Sequence, residues 1–354
     1  MPGDFSHDHQ LRLRPDVKLR LSEARDLVRD LSEHESVLLL SAPGVGKTEM
    51  VHDLASELGL EVRSVLGTQL APEDLSGLPR LVGERTVFCP PRVLLPEDDT
   101  PFLLFLDELP ASSPDVQKAM YSLLLDRRIG EHRLPAGSRV VAAGNRASDR
   151  ALVRSLSNAL VNRVFLVEVT ADAGEWLAWA ERANVRHEVR EFVRLRPEAL
   201  LREPTTQGEP FSTPRAWVSL AQALDRVSAG GSGTATVRRS LAFGRVSAED
   251  ASLFADSGWR CLVGSRAADL VSGAARLPRP DDAAYALALD LVHRGAVAGE
   301  LDGLPRSTVD AFLAGLDREH QYTLYGRDRS VWERLATPPE DGSRGLFDRR
   351  GWPS

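Results

Sequence analysis

The stretch Val37-Leu38-Leu39-Leu40-Ser41-Ala42-Pro43-Gly44-Val45-Gly46-Lys47-Thr48-Glu49 decides the fold. An apolar run passes into a glycine-bearing loop, and the loop passes into a helix-patterned segment. Gly44 and Gly46 let the backbone turn tightly, so that successive N–H groups face inward toward phosphate oxygens. Lys47 supplies a flexible point charge for the β- and γ-phosphates of a nucleoside triphosphate, and the Thr48 hydroxyl is placed to ligate Mg²⁺. The following helix turns its positive end toward the anion. Met50, Val51, Leu54, Ala55 and Leu58 form its apolar face, and Gly59 marks its end. The residues expected to hold the nucleotide are Pro43, Gly44, Val45, Gly46, Lys47, Thr48 and Glu49. One departure stands out. The usual pattern opens on glycine, and here that place is Ser41, small enough to start the turn. A plain glycine-rich surface turn is the competing reading, and the strand before and helix after count against it.

Downstream, Phe102-Leu103-Leu104-Phe105-Leu106-Asp107-Glu108 is a buried-type strand ending in two carboxylates. Such a strand in the same sheet is a rigid mount for acid groups at the phosphate edge. Asp107 is expected to hold Mg²⁺, mostly through its water shell. Glu108 is expected to orient or deprotonate the attacking water. In isolation the segment reads equally as a strand closing on a solvated acidic turn. Arg139-Val140-Val141-Ala142-Ala143 ends in Gly144-Asn145, and the Asn145 amide can bond both the γ-phosphate and the lytic water. Without that context Gly144-Asn145 is a turn pair.

Around these motifs the pattern alternates. Ser22–Glu33 is helix-spaced, strands are expected at Glu61–Val65, Phe102–Leu106, Arg139–Ala143 and Val164–Val169, and Ser113-Pro114 opens another helix. The expected fold class is α/β, a parallel five-stranded sheet over residues 16–170. Beyond Val169 the pattern is helical, with Trp176, Trp179 and Trp217 as core anchors, and residues 171–262 read as an all-α lid. Residues 263–354 read as a helical extension whose end has little to bury, and residues 1–15 as a tail. Loops are expected at Glu203–Pro214 and Ser228–Gly233.

Composition excludes several classes. The 354 residues are 42% apolar and 27% charged, with a net charge of −7, so no general basic field recruits nucleic acid or an anionic membrane. The two cysteines, Cys89 and Cys261, have no metal-like spacing and suit a reducing compartment. There is no signal-peptide core and no apolar run near the ~18 residues that cross a bilayer. A cytoplasmic location is expected. His7 and His9 read as solvated residues rather than metal ligands.

In their order, these motifs resemble an AAA+ ATPase, and more narrowly the MoxR-like, dynein-related branch, over about residues 16–260. The resemblance implies ATP and Mg²⁺ as cofactors, Ser41–Thr48 as Walker A, Phe105–Glu108 as Walker B and Asn145 as sensor 1. It makes Arg163, in Leu156-Ser157-Asn158-Ala159-Leu160-Val161-Asn162-Arg163, the candidate arginine finger for a neighbouring subunit's nucleotide. The family usually has phenylalanine straight after that arginine, and here Val164 precedes Phe165. An arginine capping a helix C-terminus is the plainer alternative. Arg146, Arg150 and Arg154 remain open between the finger and a solvated face. Thr213-Pro214-Arg215-Ala216-Trp217 resembles sensor 2, with Arg215 on a lid helix. A hairpin about Gly83-Glu84, within residues 77–91, is expected either to meet substrate through Leu81, Val82, Val87 and Phe88 or to pack on its own domain. The resemblance further implies a homo-oligomeric, hexameric ring that remodels a protein partner, a von Willebrand factor A-domain protein being the expected client. A nucleic-acid motor and a low-turnover nucleotide switch are the alternatives.

Overall fold

The computed structural model describes residues 17–96, 98–145, 156–202, 208–280 and 283–337. The N-terminal tail with His7 and His9, the arginines 146, 150 and 154, and the last seventeen residues lie outside them. The described chain forms two compact units, divided between Asp250 and Ala251, with Arg194–Arg196 grouped with the second.

The first unit is built on ten strands. They are β1 (Leu19–Arg20), β2 (Val37–Ser41), β3 (Glu61–Leu66), β4 (Leu78–Val82), β5 (Arg85–Cys89), β6 (Phe102–Asp107), β7 (Arg128–Ile129), β8 (His132–Arg133), β9 (Arg139–Asn145) and β10 (Phe165–Thr170). Its helices are α1 (Leu21–Leu31), α2 (Lys47–Glu57), α3 (Pro72–Ser76), α4 (Pro114–Ala119), α5 (Tyr121–Asp126), α6 (Asn158–Val161), α7 (Ala173–Arg182), α8 (His187–Leu195), α9 (Pro214–Ala229) and α10 (Ala235–Phe243), with α11 (Ala248–Ala255) crossing the division.

The main sheet is parallel, in the order β1-β10-β2-β9-β6-β3. It has six strands where five were expected. The sixth, β1, is a two-residue edge strand, Leu19 beside Val169 and Arg20 beside Thr170. So short a run leaves no period-2 pattern in a sequence. Both faces of the sheet are covered, so side chains alternate between two cores. Leu38, Leu40, Leu104, Leu106, Val140 and Ala142 pack with Val116 of α4, Met120 between α4 and α5, Leu123 of α5 and Leu160 of α6. Val37, Leu39, Leu103, Phe105, Val141 and Ala143 pack with Ala24 and Val28 of α1 and Met50, Val51 and Leu54 of α2.

Two helix boundaries differ from expectation, and the expected hairpin forms. The helix opened by Ser113-Pro114 breaks at Met120 into α4 and α5, and Arg127 at φ 54° ends it by turning the chain into the β7–β8 hairpin. The helix α9 runs through Ser228 to Ala229, two residues into the expected break. The hairpin near Gly83 forms as β4 paired antiparallel with β5, Val82 opposite Arg85. Its side chains are almost all exposed, and Leu81 and Leu78 are 77% and 70% exposed, so the rest of the unit does not cover them.

The second unit is helical among its described residues: α12 (Ala267–Ser272), α13 (Ala283–Val297), α14 (Arg306–Ala314), α15 (Arg318–Arg327) and α16 (Arg329–Leu335). Its core includes Leu270, Val271, Leu287, Val292, Phe312, Leu324 and Trp332. Among the described residues no helix is long and apolar enough to cross a membrane.

Candidate active site

Parallel strands bring their C-terminal ends to one sheet edge, and four of them deliver polar groups there. Register places Ser41 of β2 opposite Asn145 of β9, and Leu66 of β3 opposite Asp107 of β6. The loop after Ser41 turns at Gly44 and Gly46, both in the left-handed region at φ 74° and 113°. Gly46 then caps α2, whose first residue is Lys47.

Inside this loop Lys47 is only 8% exposed. Its Nζ donates to Ser41 Oγ at 2.6 Å, and Ser41 Oγ donates to the Ala42 carbonyl at 2.7 Å. Thr48 Oγ1 donates to Asp107 Oδ2 at 3.4 Å, so the hydroxyl and the carboxylate expected to share a cation face one another. Asp107 is fixed from behind, because its Oδ1 accepts from the Glu108 backbone N–H at 3.0 Å. Two hard oxygens beside a phosphate loop suit Mg²⁺, which takes one or two protein oxygens and keeps most of its waters.

Glu108 has φ 53°, a strained value for a residue with a Cβ, and its carboxylate accepts from Thr68 Oγ1 at 3.1 Å. Thr68 follows β3 in a short 3-10 turn (Gly67–Gln69) and was not anticipated. The strand pairing of β3 with β6, invisible before the fold is known, is what brings it there. A Cβ on Gly144 would come within 2.3 Å of Pro110 Cδ, so the turn after Glu108 packs directly on the residue before Asn145.

The segment Thr213–Trp217 closes on the loop. Thr213 caps α9 by accepting from Ala216 N–H at 3.1 Å, and Pro214 fills its first turn. The Arg215 backbone N–H donates to the Gly44 carbonyl at 3.1 Å. A Cβ on Gly44 would fall 2.9 Å from Thr213 Oγ1 and 3.1 Å from Arg215 Cβ, which is a second reason, besides its φ, that this place is glycine.

Beside the loop lies a cleft of about 1150 Å³. Val45, Thr48 and Glu49 line it together with Leu21 of α1 and Trp179, Arg215 and Val218 of α7 and α9. Its rim is tied by Ser22, whose hydroxyl and N–H both donate to Glu175 of α7. Next to it Arg20 pairs with Glu23 and holds that carboxyl below its ordinary range.

Arg163 is elsewhere. It follows α6, and Phe165, two residues later, pairs with Val37, the far end of β2 from Ser41. A five-residue strand spans roughly 16 Å at ~3.3 Å per residue, so the side chain sits at the opposite end of the sheet from its own phosphate loop. Its Nη1 donates to the Ala159 carbonyl at 2.6 Å, and its guanidinium lies 4.8 Å over the Tyr121 ring. Tyr121 is held in turn by the Ser157 hydroxyl at 2.6 Å. The arginine thus caps α6, the plainer alternative, while its plane is fixed.

Residues 36–164 match the family model described as AAA domain (dynein-related subfamily). Curated relatives described as Holliday junction branch migration complex subunit RuvB are similar over shorter stretches. The protein from Anaeromyxobacter sp. (strain K) is 33% identical over 120 residues, 34% of this chain and 30% of that one. The protein from Treponema pallidum (strain Nichols) is 28% identical over 118 residues, 33% of this chain and 28% of its own. The chain therefore spans less than a third of the length of these relatives. A solved structure of the Thermotoga maritima RuvB Holliday junction branch migration motor aligns with 66% of this chain and 67% of that one, at 17% identity and a TM-score of 0.38. That likeness is too loose to carry an argument about this chain. Residues 36–164 match an AAA domain of the dynein-related subfamily, and the sheet they build has the α/β P-loop AAA fold.

Proposed function

We propose that the chain is a ring-forming ATPase of the MoxR-like branch that couples Mg²⁺-dependent ATP hydrolysis to remodelling of a protein partner. The observation that carries this reading is the meeting of Lys47, Thr48, Asp107, Glu108 and Asn145 at one sheet edge, on three strand ends distant in sequence. Pro43–Glu49 cradle the phosphates, and Thr48 and Asp107 hold the Mg²⁺, which supplies charge neutralisation on the phosphate oxygens. Glu108 draws the proton from the attacking water, and Asn145 orients that water against the γ-phosphate. Arg215, at the start of α9, links the state of the phosphates to residues 171–262 acting as a lid.

Arg163 serves the neighbouring copy. Its place at the far end of β2 supports this reading, and a guanidinium given in trans stabilises charge on the transferring phosphoryl group. Repeating that contact head to tail closes a ring, with six copies the expected number. The client is a von Willebrand factor A-domain protein, and the exposed β4–β5 hairpin, with Leu81, Val82 and Phe88, is the surface offered to it. Residues 263–354 follow the lid in sequence as a separate C-terminal segment of unassigned role. Cys89 and Cys261, both free and exposed, suit a reducing cytoplasm.

A nucleic-acid motor is the second reading, favoured by relatives whose description places them in a Holliday junction branch migration complex. The net charge of −7 opposes it. Capture with the Glu108→Gln protein separates the two. That variant is expected to bind ATP and stay assembled while turnover falls by at least ~10². Retention of a nuclease-resistant protein partner supports the first reading; DNA binding whose affinity falls steeply with salt supports the second. Turnover at the parental rate contradicts both.

A further inference from the structure

We infer that Ser41 is a positioning residue for Lys47, its hydroxyl holding the ammonium where the terminal phosphates of a nucleotide are met. This rests on the nucleotide-binding reading of the loop and adds a role for the one position that departs from the usual glycine. Ser41 is wholly buried at the end of β2. Its Oγ–H is spent on the Ala42 carbonyl at 2.7 Å, which leaves the oxygen's lone pairs for the Lys47 ammonium at 2.6 Å. A glycine at this place offers no acceptor there.

The chemistry gives the contact a direction. A buried ammonium is costly unless its N–H groups find acceptors. Lys47 has three donors in a tetrahedral array, and anchoring one on Ser41 fixes how the others are disposed. A four-carbon stem ordinarily gives up rotamer freedom when it closes on a phosphate, and here part of that ordering precedes the ligand. The hydroxyl therefore favours nucleotides in proportion to what they present to Lys47, the β- and γ-phosphates, and is indifferent to base, ribose and α-phosphate.

Equilibrium titration of the full chain with ATP, ADP and AMP tests this in Ser41→Ala, Ser41→Gly and Lys47→Ala proteins, with thermal melting of each as a check on folding. Losing one charge-assisted hydrogen bond is expected to weaken ATP and ADP binding about 10–100-fold in both Ser41 variants. AMP binding should not change. Unchanged or tighter ATP binding overturns the inference, and so does an equal loss for all three nucleotides, which is what general damage to the loop gives. Where Lys47→Ala loses ATP and Ser41→Ala does not, only the role of Ser41 falls. Parental ATP affinity in Lys47→Ala overturns the loop reading and this inference together.

Discussion

At the scale of single residues, the site is a set of close approaches that leave little room for substitution. Gly144 has no Cβ because Pro110 occupies that space, and Pro110 belongs to the short turn that places Glu108. Gly144→Ala is therefore expected to cost about 1–3 kcal/mol of stability by overpacking, read as a lower urea midpoint. It should lower turnover more than nucleotide binding, since the displaced turn carries Glu108 and not the phosphate loop. Parental stability and turnover would mean that the turn gives way freely. The same scale shows what the sequence could not announce. The roles expected of Lys47, Thr48 and Asp107 follow from residue type and spacing. Thr68 bonding Glu108, Ser22 bonding Glu175 and Thr213 pressing on Gly44 each join residues remote along the chain. Only the strand order brings such pairs together, and one chain's periodicity does not contain that order.

At the scale of elements, dense apolar runs were legible and short or half-exposed pieces were not. The strands β2, β6 and β9 each carry five consecutive buried residues, and their limits differ from the expected ones by two residues at most. The two-residue strand β1 and the β7–β8 hairpin left no pattern, and the hydrogen-bonded turn at Met120 divides a helix whose apolar spacing continues across it. The β4–β5 hairpin was legible from its turn, but its exposure was not, because Leu81 and Val82 look the same in a sequence whether buried or bare. Element α6 carries the sharpest prediction. It holds Arg163 by the Ala159 carbonyl and the Tyr121 ring, at the end of the sheet away from its own loop. Lys47→Ala and Arg163→Ala proteins should each be nearly inactive alone. Mixed in equal amounts they should regain turnover at about a quarter of the sites, those where an intact loop meets an intact finger in a randomly assembled ring. Absence of recovery at every ratio would mean that Arg163 does not act on a neighbour.

At the scale of the whole molecule, the proposed hydrolysis takes its phosphate loop, its acids and its lid arginine from one chain and Arg163 from a neighbouring copy. If the cut is made at a seam between copies, specific activity must depend on assembly. The most direct measurement is ATP turnover per chain across a wide range of protein concentrations, with the assembled fraction followed in parallel by sedimentation. Turnover per chain is expected to rise from near zero to a plateau as the assembled fraction rises, with the two curves superimposing. Full turnover in strictly monomeric protein, constant across concentration, would contradict the account.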